Sequence, residues 1–236
     1  MNNFVKRTIS GAGFGVIMLA AFLTNKYVFG AVMLLSLVIM MGEFLKMTCG
    51  KNYWFSQILS ILAGATLFTL TYLYKGFEFP GRLVILAFIP VFVLMINSLY
   101  VKDKSRFDKF SNLYAVLLYI AVPWSVLNFA VFDSEGGFNG MLLLCFFAII
   151  WGTDVGAYIF GITLGQKYGK KLFPSISPKK SWIGFWGGML MAIGVSLALY
   201  HVGIFTIATG NTRCDLIHCI VIAIIIDCAG VYGDLI

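Results

Sequence analysis

Apolar residues run along this chain in eight blocks, at positions 9–24, 28–47, 54–73, 83–100, 111–131, 140–160, 182–200 and 217–236. Each block is long enough to cross about 30 Å of hydrocarbon as a helix. Open strands cannot do so, because lipid offers no partner to a backbone amide. The pattern predicts an all-α fold: a polytopic transmembrane helical bundle of about eight spans. The apolar segment Gly203–Thr209 is too short to span and reads as a re-entrant turn or an outer loop. The whole of 1–236 reads as one integral membrane domain. Its N-terminal spans cover 1–131, and catalytic-type spans with a lysine-rich loop cover 140–236.

Composition sharpens this picture. The 236 residues are 60% hydrophobic and 11% charged, where a soluble domain carries about 25% charged residues. The net charge is +7, but the lysines sit in short joins between apolar blocks. That placement points to orientation in a bilayer and to anionic lipid or phosphate, not to nucleic acid. Cys49, Cys145, Cys214, Cys219 and Cys228 form no CxxC and no ligand spacing with His201 or His218, so they read as small packing residues. Lys6 and Arg7 precede the first block without an A-x-A-like cleavage site, which favours a retained first span over a signal peptide.

The basic residues set the orientation. With the N-terminus cytosolic, the inside joins hold Lys6, Arg7, Lys46, Lys51, Lys102, Lys104, Arg106, Lys109, Lys167, Lys170, Lys171, Lys179 and Lys180. The outside joins hold only Lys26, Lys75, Arg82 and Arg213. Thirteen of 17 on one side is a clear positive-inside signal. The segment Gly161–Ser181 reads as a long polar cytosolic loop, and long loops in compact proteins are usually functional or disordered.

Ionisable residues inside spans are costly and mark candidate sites. Glu43 reads as an interfacial carboxylate beside Lys46. Asp154 lies in Trp151-Gly152-Thr153-Asp154-Val155-Gly156-Ala157-Tyr158, ahead of the lysine-rich loop. Asp227 and Asp234 share the last span, nearly two turns apart, so they face the same side about 10 Å from one another. That is too far to chelate one ion together. One could ligate metal while the other orients a ligand or a lysine. Asp154, Asp227 and Asp234 are the candidate metal ligands. The loop supplies Lys167, Lys170, Lys171, Ser175, Ser177, Lys179, Lys180 and Ser181, whose ammonium and hydroxyl groups suit phosphate oxygens. Pro178 is expected to fix a turn, and Ser181 to cap a helix starting at Trp182. The helix N-terminus then offers free amides to an anion. The glycine pairs Gly152/Gly156, Gly161/Gly165 and Gly184/Gly188 read as close helix packing. Carboxylates at span ends beside a lysine–serine loop meet the needs of phosphoryl or nucleotidyl transfer.

The run from Asp154 to Gly188 resembles the phosphatidate cytidylyltransferase (CDP-diacylglycerol synthase) family. The matching residues are Asp154, Gly156-Ala157-Tyr158, Phe160-Gly161, Gly165, Lys167, Ser177-Pro178-Lys179-Lys180-Ser181-Trp182, Gly184 and Gly187-Gly188. Gly233-Asp234-Leu235 looks like the start of the family's last motif. The resemblance implies CTP and phosphatidate as substrates, CDP-diacylglycerol and pyrophosphate as products, and Mg²⁺ as cofactor. It implies Asp234 as a metal ligand and Ser177, Lys179 and Lys180 as phosphate holders. Tyr158, Lys167 and Ser181 join the expected substrate contacts, and Asp154, Lys179, Lys180 and Asp234 the expected catalytic set. The family usually has threonine at Ser181 and glutamate at Ile183. It continues past Gly-Asp-Leu with further charged motifs where this chain stops at Ile236, so the expectation is a C-terminally truncated chain that is inactive as given. A multi-pass place in a bacterial inner membrane is expected, and a homodimer is carried only by the resemblance and the glycine pairs. Competing readings are a CTP-dependent lipid-alcohol kinase, a proton- or cation-coupled transporter, and a non-catalytic membrane scaffold. The Ser177–Trp182 run favours the cytidylyltransferase.

Overall fold

The computed structural model describes residues 3–101, 107–205 and 212–235. Lys102, Lys104, Arg106 and part of the Gly203–Thr209 segment lie outside the described residues, as do the side chains of Lys6, Arg7, Arg213 and Cys214. Among the described residues, seven helices are long and apolar enough to cross a membrane: Lys26–Thr48, Trp54–Gly76, Gly81–Tyr100, Lys109–Val131, Met141–Tyr168, Trp182–His201 and Asp215–Gly233. The first apolar block falls in helix α1 (Asn3–Leu23), which is 21 residues long. The chain is a multi-pass integral membrane protein. It divides into two compact units, Met1–Gly140 and Met141–Ile236.

The first unit holds α1, α2 (Lys26–Thr48), α3 (Trp54–Gly76), α4 (Phe88–Tyr100), α5 (Asn112–Val116) and α6 (Val122–Val131). Asn25 starts α2, its side chain accepting from the amides of Tyr27 and Val28 at 3.0 Å. A four-residue repeat, Met33, Leu37, Met41 and Leu45, is fully buried along one face of α2. A π turn over Leu117–Ala121 separates α5 from α6. Pro123 lacks the amide that would close an α-helical bond to the Tyr119 carbonyl, which accounts for the wider turn. Asn128 on α6 ties the unit together, its amide donating to Thr71 Oγ1 at 3.0 Å and to the Ser125 carbonyl at 3.1 Å. Glu43 and Lys46 stand on the exposed face of α2 at 3.7 Å, as expected of an interfacial pair.

The second unit packs α7 (Met141–Phe160), α9 (Trp182–His201) and α10 (Thr212–Gly233) around Cys145, Ile149, Ala192, Phe205, Cys219 and Ala223. The pairs Gly152/Gly156 and Gly184/Gly188 line the contact between α7 and α9. A methyl group on Gly156 would lie 2.6 Å from the Gly187 carbonyl oxygen, and one on Gly184 would lie 3.1 Å from the Ala157 carbonyl oxygen. The two backbones meet directly, as small residues in membrane helices allow. Cys145 and Cys219 are buried in this core, which fits their reading as packing residues.

Two expectations are corrected here. The segment after Phe160 is not a loop at first. It continues as a π turn, Gly161–Gly165, and a short helix α8 (Gln166–Tyr168). Ile162 and Leu164 keep the segment apolar, and the chain leaves the helix only at Gly169, whose backbone is extended. The rest forms a hairpin, β1 (Lys171–Phe173) paired antiparallel with β2 (Ser177–Ser181). Pro178 therefore lies within a strand, and Pro174, Ser175 and Ile176 make the turn. Both strands of a two-stranded sheet are edges, so a residue without an amide is tolerated there.

Candidate active site

The hairpin delivers the lysines. The amide of Trp182 donates to the Lys170 carbonyl at 3.0 Å, closing the hairpin base where α9 begins. Ser181 is the N-cap of α9 as expected, its hydroxyl accepting from the Gly184 amide at 3.2 Å. It is 3% exposed and packs on Gly165, where a side chain would collide with its hydroxyl. The π turn and the hairpin end are thereby pressed together. Phe173 rests on Tyr232 of α10 with ring centroids 6.3 Å apart, which holds the hairpin against the third helix.

These elements enclose a cavity of about 460 Å³. Its lining includes Asp154 and Tyr158 from α7, Lys179, Lys180 and Ser181 from β2, and Asp234 just past α10. Lys180 Nζ lies 3.2 Å from Asp234 Oδ2 and 3.5 Å from the Val231 carbonyl oxygen. The Asp234 side chain is 70% exposed and that of Lys180 30% exposed. A pair so placed contributes at most about 1 kcal/mol to stability, which leaves both groups free to exchange partners.

Six sequence candidates thus share one cavity. Three do not. Lys167 is exposed on α8 and Ser177 half-buried on β2, and neither is on the lining. Asp227 is fully buried and also off the lining. The structure adds Gln166, Leu172, Gly230 and Val231 to the walls. Gly230 stands four residues before Asp234 on α10, so a helical reading of the last span places it on the same face. Gln166 had no charge to draw notice.

Mg²⁺ is commonly held by one or two protein carboxylates together with substrate phosphates and water. Asp154 and Asp234, on a cavity edged with lysines, make a donor set that fits this requirement. Among the described residues, no group of three or more His, Cys, Asp or Glu is placed to hold a metal by itself.

Relatives of this chain carry the name phosphatidate cytidylyltransferase, among them the following three. One from Rickettsia bellii is 43% identical over 76 residues, 32% of this chain and 30% of its own. One from Staphylococcus epidermidis is 37% identical over 92 residues, 39% of this chain and 34% of its own. One from Bacillus subtilis is 28% identical over 171 residues, 72% of this chain and 59% of its own. The chain thus spans less than two thirds of the length of these curated relatives. The family model described as "Cytidylyltransferase family" matches residues 5–236, so this chain belongs to that family.

Proposed function

We propose that the protein belongs to a CTP:phosphatidate cytidylyltransferase that makes CDP-diacylglycerol and pyrophosphate for phospholipid synthesis. The observation that carries this reading is the meeting of Lys179, Lys180, Asp154 and Asp234 in one cavity of the second unit. The names of the relatives add to it, and family membership favours nucleotidyl transfer over the lipid-alcohol kinase and transporter readings.

In this reading a phosphate oxygen of the lipid attacks the α-phosphorus of CTP. The bond from that phosphorus to the bridging oxygen breaks, and pyrophosphate leaves with its electron pair. Lys179 and Lys180 bind phosphate oxygens as point charges and hold the two substrates in line. Lys180 then exchanges Asp234 for phosphate. Asp154 and Asp234 would hold Mg²⁺, which neutralises phosphate charge when bound. Ser181 fixes the start of α9, whose free amides add positive potential beside the lysines.

The basic residues support a cytosolic N-terminus and a cytosolic cavity, and a bacterial inner membrane is part of the same proposal. The glycine pairs are used within one chain to pack α7 on α9. Resemblance alone therefore carries the homodimer.

The test is incorporation of labelled CTP into chloroform-soluble lipid by membranes expressing the gene's open reading frame. Phosphatidate is added with and without Mg²⁺, and Asp234→Asn is run beside the parent. Label that needs phosphatidate and Mg²⁺ and vanishes with the substitution supports the reading. No label from folded, membrane-inserted protein sinks it.

A further inference from the structure

Five lysines and no acidic residue lie between Asp154 and Asp215. Lys179 and Lys180 line the cavity. Lys167, Lys170 and Lys171 do not, and all three are exposed. Among the described residues, none of these three ammonium groups has an ion pair or a hydrogen bond. Like charges held so close along the chain repel one another until a counter-charge arrives.

The spans fix where these charges stand. One span ends at Tyr168 and the next begins at Trp182. The segment between them starts and finishes at the membrane surface, and the Trp182 amide on the Lys170 carbonyl closes its base there. Tyr168 is 78% exposed, and Trp182 is exposed as well. Tyr and Trp collect at the headgroup level, where ring and polar tip are both satisfied. Phe173 folds the hairpin onto Tyr232, in the last turn of the α10 span, which keeps it close to that level. The hairpin turn carries Ile176, which is 63% exposed.

Lysines without counter-ions, flanking aromatic rings and an apolar tip on one short segment suit the headgroup layer of an anionic bilayer. Lysine stems can lie along apolar surface while their ammonium groups reach the lipid phosphates. The bilayer is also the partner the fold already keeps within a Debye length, about 10 Å. We propose that Lys167, Lys170 and Lys171, with Ile176 at the tip, form a docking surface for the anionic headgroups of the adjacent leaflet, outside the cavity. Docking there sets the pose of β2, the strand that brings Lys179 and Lys180 to the cavity. Membrane surface charge thereby acts on one cavity wall. This inference does not depend on the reaction proposed above.

Fluorescence of an environment-sensitive nitrobenzoxadiazole label on Ile176→Cys tests it. The protein is expressed from the gene's open reading frame and held in lipid nanodiscs without nucleotide or Mg²⁺. The parent labelled alike supplies the background from native cysteines. Discs of phosphatidylcholine are compared with discs carrying a rising share of phosphatidylglycerol. Docking shifts the emission to the blue and lowers acrylamide quenching several-fold as the anionic share rises, and added salt reverses both. Lys167→Gln, Lys170→Gln and Lys171→Gln combined remove the response. Equal emission and quenching in neutral and anionic discs overturn the proposal, and so does a response that survives the triple substitution. Soluble glycerol phosphate that reproduces the shift in neutral discs overturns the lipid surface in favour of a site for free phosphate. If the triple variant yields no folded protein, the salt dependence of the labelled Ile176→Cys chain decides.

Discussion

Lys180 and Asp234, 54 residues apart in the chain, meet at 3.2 Å across the mouth of the second unit's cavity. One comes from a hairpin strand and the other from the turn after α10. Their pairing holds the cation and the anion of the site against each other, and under the proposed reaction a substrate phosphate would compete for the lysine.

Breaking that pair should separate activity from stability. Lys180→Met and Asp234→Asn are each expected to lower CTP incorporation by at least a hundredfold. The pair is partly exposed, so stability should fall by no more than about 1 kcal/mol. A large loss of stability with activity preserved would assign the pair a structural role only.

Crowding along the α7–α9 contact gives a second prediction. Gly156→Ala forces a methyl group against the Gly187 carbonyl oxygen at 2.6 Å, and should cost about 1–3 kcal/mol. Gly194→Ala on the same helix pair has nothing within 4 Å and should be neutral or slightly stabilising. Thermal unfolding of both variants in one detergent compares them. Equal effects would mean the two backbones do not meet as described.

Ser181→Ala removes the cap of α9 and should cost about 1 kcal/mol, while Ser181→Thr keeps the hydroxyl and should cost less. Hydrogen exchange at the amides of the first turn of α9 reads this directly. Unchanged protection there in Ser181→Ala would rule the cap out.

In the first unit, Asn128→Leu deletes the bonds to Thr71 and Ser125. Hydrogen bonds between membrane helices average roughly 0.6 kcal/mol and reach about 1.7, so a loss of about 1 kcal/mol is expected. Equilibrium unfolding in mixed micelles measures it, and a stabilised variant would contradict the assigned role.

The spans were legible because hydropathy over twenty residues needs no tertiary context. Ser181 was legible because an N-cap is local, and the glycine pairs because four-residue spacing puts them on one helix face. The hairpin was not. Ser-Pro-Lys-Lys-Ser has no alternation of apolar and polar residues, and its pairing with Lys171–Phe173 depends on support from Ser181 on Gly165 and Phe173 on Tyr232. Asp227 and Asp234 show a different limit. Helical spacing gave both one face of the last span, and along that face Asp227 meets Gly188 while Asp234 meets Lys180. Two equal carboxylates therefore stand in unlike surroundings, set by which part of the neighbouring segment lies at each height. A single helix cannot report that.

Where Gly156 meets Gly187 and Ala157 meets Gly184, α7 and α9 touch through backbone atoms, and at that height little side chain lies between them to compress. Two walls of the cavity are thus a single stiff plate. Under the proposed reaction, the breathing that would admit a lipid headgroup falls to the third wall, α10, and to the hairpin that leans on it through the Phe173–Tyr232 rings and the Lys180 contacts to Asp234 and Val231.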